Sequence, residues 1–281
     1  MLNSNDRRPW TFYLLAGIFA LYVLFLYGPM ICIFILSFQG TQGALVFPMR
    51  GESLYWFHQL WGGTENGNIP GAISRSLPLA LLVMGATVAI SVAGGLAFRE
   101  RFRGSGFLFY AVIIALVAPG YVLGIGIGLM FRLLGLDTDW YTSALGAQLT
   151  WTLPFGLLIM FAIFGRFNRA YEEASRDLGA GPVQTLRMVV IPIIVPGIIA
   201  VALFGFTLSY DEFARTLLTS GANNTLPVEI WSMTMNVTSP VIYALGTATT
   251  IFSFVIIVVA LSSIALIQRR RFGRALPSAR H

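Results

Sequence analysis

The side chains with which this chain could move a proton, hold a metal or pair with a cation are few: twelve acids and two histidines in 281 residues. Three acid pairs stand close in sequence, Asp137 with Asp139, Glu172 with Glu173, and Asp211 with Glu212. His58 has no second ligand near it and His281 is the last residue, Cys32 is the single cysteine, and neither His-Glu-x-x-His nor Gly-x-Ser-x-Gly occurs. Metal-assisted and triad-type hydrolysis therefore have no seat here. Lysine is absent, so all 18 basic residues are arginine. A P-loop ends in a lysine that reaches the phosphates, and Schiff-base chemistry needs a lysine amine. If the protein uses ATP, another chain must bind it. The expectation is a chain with no catalytic residue, no metal and no cofactor of its own.

That leaves recognition as the work of the acids, and composition says where it takes place. Hydrophobic residues make up 56% of the chain and charged residues 11%, with a mean hydropathy of +0.76. A soluble domain carries about 25% charged residues. A bilayer is the solvent that suits such a chain, and crossing it takes about 20 apolar residues per helix. Six runs qualify: Phe12–Phe38, Ala72–Phe98, Phe107–Phe131, Tyr141–Phe164, Ile193–Leu208 and Val241–Ile267. The first is too long for a signal-peptide h-region and lacks a small-residue cleavage site, so it counts as a span. With no repeat and no low-complexity linker, residues 1–281 read as one all-α, polytopic membrane domain of six transmembrane helices.

Arginine placement orients it. Arg7, Arg8, Arg99, Arg101, Arg103, Arg166, Arg169, Arg176, Arg187, Arg269, Arg270, Arg271, Arg274 and Arg280 fall on one side, and Arg50, Arg75, Arg132 and Arg215 on the other. The positive-inside rule puts the first group, and with it both termini, in the cytoplasm. Because these arginines flank spans, the basic pI near 9.8 reads as membrane orientation, not nucleic-acid binding.

Elements near the acids then take shape. Leu54 to Trp61 is rich in aromatics and predicts a short helix lying at the outer interface. Gly120, Gly124 and Gly128 leave one face of the third span bare after Pro119, either for close helix packing or as a kinked wall beside a passage; Pro154 and Gly156 pose the same question in the fourth. Asp137 and Asp139 read as a loop turn. Asp211 and Glu212, with Tyr210 before them and Trp231 in the following loop, offer carboxylates and aromatic faces to a cation, or form a rim paired with Arg215.

The segment 166–192 is the longest polar insertion. Asn168 can cap a helix with Glu172 and Glu173 in or near its first turn. Gly179-Ala180-Gly181-Pro182 breaks it, and Gly181 with Pro182 opens a second helix carrying Val183, Leu186, Val189 and Val190 near one face, which Pro192 ends. Such a patch needs covering, by a protein partner or by the lipid surface.

Glu173-Ala174-Ser175, three residues, Gly179, nine residues and Val189-Val190-Ile191-Pro192 resemble the EAA motif of ABC-importer permeases, which reads Glu-Ala-Ala, three residues, Gly, nine residues, Ile, any residue, Leu, Pro. Ser175, Val189 and Ile191 depart from it conservatively, and the spacing has no gap. Further stretches, Asp177 to Ala180, Phe206 to Phe213, Leu226 to Met233, Ser239-Pro240 and Arg101 to Gly104, are similar to the second permease of spermidine/putrescine importers. The resemblance implies the type I importer fold in a bacterial inner membrane, a second permease subunit, two ATPase copies binding ATP and Mg, and a periplasmic substrate-binding protein. It implies ATPase-coupling positions at Glu172, Glu173, Ala174, Ser175, Asp177, Gly179, Ala180 and Pro192. Pro119 is followed by Gly120 and Tyr121, where the polyamine permeases carry an acid, so opines, other organic amines, phosphonates and ferric iron stay open as cargo. A secondary transporter and a membrane enzyme are the readings from other classes.

Overall fold

The computed structural model describes residues 9–43, 45–62, 67–100, 102–236 and 239–274; Arg7, Arg8, Glu65, Arg101, Arg280 and His281 lie outside the described residues. In chain order the α-helices are α1 (Trp10–Leu36), α2 (Tyr55–Gly62), α3 (Ile69–Ala97), α4 (Ser105–Val117), α5 (Gly120–Leu133), α6 (Ser143–Gly165), α7 (Ala170–Asp177), α8 (Pro182–Thr185), α9 (Ile191–Tyr210), α10 (Leu226–Asn236) and α11 (Val241–Arg274). Among the described residues the only β pairing is an isolated bridge between Gln39 and Glu52. Two compact units result, residues 1–66 with 233–251, and residues 67–232 with 252–281.

In the first unit α1 is apolar around its whole circumference and exposed along nearly its whole length. That pattern suits a helix surrounded by lipid or by other spans. The aromatic segment predicted at the interface forms α2.

The second unit is built on α3, α6 and α9. Asn68 caps α3 by accepting from Gly71 N at 2.9 Å, with Pro70 in the first turn, where a missing N–H is harmless. Contacts along α3 and α6 rise together in number. Leu79 and Val83 pack near Ala144, Thr87 meets Thr152 through their hydroxyls at 2.7 Å, and a Cβ on Gly156 would collide with Ser91. The two helices are therefore parallel. α9 runs against them, with Gly205 beside Met84 and Thr87 and with Ile194 and Val190 packed among Val92, Leu96 and Met160. Gln148 of α6 ties Ser209 and Thr216 into this bundle.

Two expectations change. The third apolar run is not one straight helix, because α4 and α5 are bent by 105° at Ala118-Pro119. Proline drives its predecessor out of the helical region, and both residues are extended, with ψ 128° and 127°. α4 alone is about 20 Å long, short of the roughly 30 Å hydrocarbon core. Since α3 ends at the face opposite to that where its parallel neighbour α6 begins, the bent pair has to carry the chain back across; it is a broken span. With it, the five long apolar helices give six candidate crossings among the described residues.

Pro192 also behaves differently. It does not end the helix that begins at Pro182, which runs on to Tyr210 as one 29-residue segment. Between them Leu186–Val190 widens into a π turn, and Ile191 N bonds Leu186 O. The wider turn accommodates a ring that lacks an N–H and would clash with an α-helical carbonyl.

Candidate functional site: the loop between α6 and α9

Asn168 starts the loop, its Oδ1 accepting from Ala170 N at 3.0 Å. α7 follows, with Glu172 and Glu173 in its first turn. It stops because Gly179 turns left-handed, φ +84°, a conformation open to glycine and costly for other residues. Gly179 N donates to Arg176 O at 2.8 Å and Ala180 N to Ser175 O at 3.1 Å, the pair of bonds that closes a Schellman turn. Gly181, extended, then places Pro182 at the start of α8. The hydroxyls of Ser175 and Thr185 meet at 3.1 Å and hold the two short helices together. Gly179→Ala is expected to cost about 1 kcal/mol through the left-handed φ, read as faster amide exchange at Ala180.

Helical spacing divides α7 into two faces. Glu173, Ala174 and Asp177 are exposed, whereas Glu172 and Ser175 are half-buried. Glu172 accepts from both terminal nitrogens of Arg99, Nη1 and Nη2, at 2.7 and 2.9 Å, and each side chain of the pair is only 13% exposed. Arg99 lies just beyond α3 and sits over the rings of Phe164 and Phe167, 5.3 and 5.0 Å from their centroids. Arg169 donates to the carbonyl of Arg99 at 2.6 Å and pairs with Glu100 at 3.1 Å. The hydrogen bonds from Arg99 hold the Glu172 carboxyl below the ordinary carboxylate range, outweighing partial burial, and Arg176 and Arg169 add to this. One face of the loop is thus bolted to the ends of α3 and α6.

The apolar patch expected on the second helix is mostly consumed at home. Val190 is buried and Leu186 and Val189 are half-buried, with Val190 and Leu186 packed against Met160, Phe164 and Phe167. Leu178, Val183 and Met188 stay exposed, Leu178 at 89%. Of the eight coupling positions, Pro192 stands apart, half-buried in the first turn of α9.

The second group of candidates lies at the far end of α9. Tyr210 is buried, stacked on Phe206 at 5.8 Å and tilted on Phe252 at 5.5 Å. Asp211 is exposed. Glu212 is buried, its Oε2 3.2 Å from Arg215 Nη1 and its Oε1 2.9 Å from Arg215 N. The guanidinium of Arg215 lies 4.7 Å from the ring centroid of Trp151, and Gly120 and Gly124 of α5 come close against Arg215. The bare glycine face of the third run serves close packing on this segment. Trp231 is 43% exposed and tilted on Phe213 at 5.7 Å.

Glu229 did not stand out as a site residue. Its Oε1 accepts from Asn68 N at 2.7 Å and its Oε2 from Asn224 Nδ2 at 2.8 Å, stitching α10 to the start of α3. Arg75 holds the Asn224 carbonyl at 2.8 Å. Asp139 anchors the turn before α6, its carbonyl accepting from Thr142 N and Ala144 N. Among the described residues no three His, Cys, Asp or Glu side chains converge as a metal site.

A bundle with a broken span and a charged loop clamped to two span ends defines a class: a polytopic helical membrane protein with a surface loop fixed to its spans. The chain belongs to the family described as binding-protein-dependent transport system inner membrane component, whose pattern it matches over residues 69–273. It is 28% identical over 236 residues to the spermidine/putrescine transport system permease protein PotC of Escherichia coli (strain K12), covering 83% of this chain and 87% of that one. It is likewise 28% identical over 249 residues to the putrescine transport system permease protein PotI of the same strain, covering 86% and 85%. Among solved structures, a bacterial ABC transporter that imports the acidic polysaccharide alginate matches with a TM-score of 0.69 at 17% identity, over 94% of this chain and 98% of that one. The methionine transporter MetNI, in an inward-facing conformation, matches with a TM-score of 0.56 at 16% identity, over 70% and 94%. The protein is an inner-membrane permease subunit of an ABC importer and not an enzyme.

Proposed function

We propose that this chain and a second permease subunit form the pathway for a small organic cation of the polyamine class. A periplasmic binding protein delivers the cargo, and two copies of a separate ATPase bind ATP and Mg and drive the cycle. Both termini and the 166–192 loop lie in the cytoplasm, on the arginine-rich side. The observation that carries the coupling role is the two-faced α7. Glu172 fastens it to α3 through Arg99, and Glu173, Ala174 and Asp177 face outward. A partner pressing on the outward face would move the ends of α3 and α6 with it.

The cargo reading rests on the polyamine permeases to which the chain is similar and on the outer end of α9. There Arg215 is neutralised by Glu212, which leaves Asp211 as the exposed charge, with the Trp231–Phe213 ring pair offering a face for methylenes. Among the described residues nothing resembles a ligand set for ferric iron. Other organic amines fit the same groups.

The test is uptake of labelled putrescine and spermidine by the complete complex in proteoliposomes. Asp211→Asn is expected to raise the KM for the cation about tenfold, the scale of one lost charged hydrogen bond. Transport of another amine with no competition from either polyamine would overturn the cargo reading and leave the importer class intact.

A further inference from the structure

Beside the bolted face of the loop lies a cavity of 350 Å³ to which the transport cycle above assigns no role. Phe98, Phe109, Phe161, Phe164 and Phe167 wall it, and Arg99 and Arg169 stand at its edge. Phe161 is the floor on which Phe98 and Phe109 rest, at centroid separations of 4.7 and 6.0 Å. The lining combines five phenyl rings with two guanidiniums and no carboxylate, at the ends of α3 and α6.

Chemistry narrows the occupant. A polyamine would find two guanidiniums and no carboxylate in the lining. A neutral apolar molecule would leave the rim charges unused. A small soluble anion would gain nothing from five phenyl rings. An anionic phospholipid uses both parts, a phosphate at the rim and an acyl chain on the rings, the arrangement that basic pockets between spans offer at a cytoplasmic surface. Arg99 is not free for the phosphate, because both of its terminal nitrogens are held by Glu172. Arg169 can reach it: one terminal nitrogen stays on the Arg99 carbonyl, while the other pairs with Glu100 through side chains 55% and 79% exposed, and such surface pairs exchange partners at little cost.

We propose that this cavity holds one anionic phospholipid, its phosphate on Arg169 and an acyl chain against Phe109 and Phe161. Phe164 and Phe167 line the cavity and also carry the guanidinium of Arg99. An acyl chain in this space packs against those rings and so stiffens the link between α3 and the loop. Anionic lipid thereby acts as a positive regulator of coupling. The inference rests on the proposed cytoplasmic placement of this end of the bundle.

The test uses the complete complex, with its ATPase and second permease, in nanodiscs of mixed phosphatidylglycerol and phosphatidylcholine, with lipid retained through purification measured by mass spectrometry. Wild type is expected to retain phosphatidylglycerol in preference to phosphatidylcholine. Arg169→Gln is expected to lower that retention by about fivefold. Phe109→Trp, which narrows the cavity and keeps the Arg169 charge, is expected to lower it as well. Equal retention of the two lipids, or wild-type retention in both variants, overturns the proposal. So does displacement of phosphatidylglycerol by inorganic phosphate, or a photo-cross-linker at position 109 that captures the second permease. Co-purification of the ATPase separates the two readings: its loss from wild type contradicts the proposed function, whereas an intact complex without bound phosphatidylglycerol contradicts only the lipid site.

Discussion

Arg99→Ala releases the loop from α3 and sharply lowers coupled transport. The substitution removes two charged hydrogen bonds from a carboxylate that is only 13% exposed, a loss of about 2–3 kcal/mol. Opening of the 170–185 segment is then favoured by roughly 30- to 150-fold, which hydrogen exchange across α7 reads directly. Glu172→Ala has a similar effect, since it strands the guanidinium over Phe164 and Phe167. The double variant falls short of the sum of the two, because the second removal finds no partner left to strand. Lysine at position 99 does not rescue, as a point charge cannot bind the carboxylate in two places. Acid gives an independent reading. The Glu172 carboxyl is held below its ordinary range by Arg99, so the pair contributes fully above that range and loses its contribution as pH falls through the lower folded value. Glu172→Gln abolishes that acid-side loosening. Exchange rates across α7 unchanged in Arg99→Ala would sink the clamp.

How much of this was readable in advance depends on how local each cause is. The spans were readable because twenty apolar residues in a row have one comfortable solvent. The turn at Gly179 was readable because its cause is local, a residue without Cβ where the chain goes left-handed. Pro119 announced a kink but not its size. The 105° bend depends on α5 laying Gly120 and Gly124 against Arg215, a contact about ninety residues away in sequence. Pro192 looked like a stop because proline usually is one; the π turn that absorbs it depends on Val190 and Ile194 being held in the core with Met160. Glu212 was ambiguous until its burial with Arg215 showed what it binds. The Arg99–Glu172 pair was invisible, since 73 residues separate its members and each resembles any other charge at a span end. An opposite-charge pair at two span ends on one side of the membrane was the single available signal.

The same distribution weighs between transport mechanisms. An ion-driven carrier places ionisable groups near the midplane, where proton or cation binding can be felt by both halves. No acid occurs within α1, α3, α4, α5, α6, α9 or α11, and the polar contacts inside the bundle are made by Thr87, Thr152, Gln148 and Ser209. That distribution favours energy entering from a surface, and the loop fixed to α3 through Arg99 and Glu172 is the handle on which the proposed coupling would act.

Reversing the charge of that handle gives the second large expected effect. Glu173 is exposed and makes no ion pair among the described residues, so Glu173→Lys breaks nothing within the chain and changes its stability by no more than about 0.5 kcal/mol. Expression and membrane insertion stay at wild-type levels. On the coupling reading the same residue faces the ATPase, and a like charge set against a partner's cation costs several kcal/mol. ATP-driven uptake is then expected to fall by about 100-fold or more, with the ATPase lost on purification or cycling without transport. The contrast with Arg99→Ala is the discriminating feature. There α7 loosens and coupling fails because the handle has come off its bolt; here α7 keeps wild-type hydrogen exchange and coupling fails because nothing grips it. Full ATP-driven uptake by Glu173→Lys would show that the outward face of α7 is not where the motor engages.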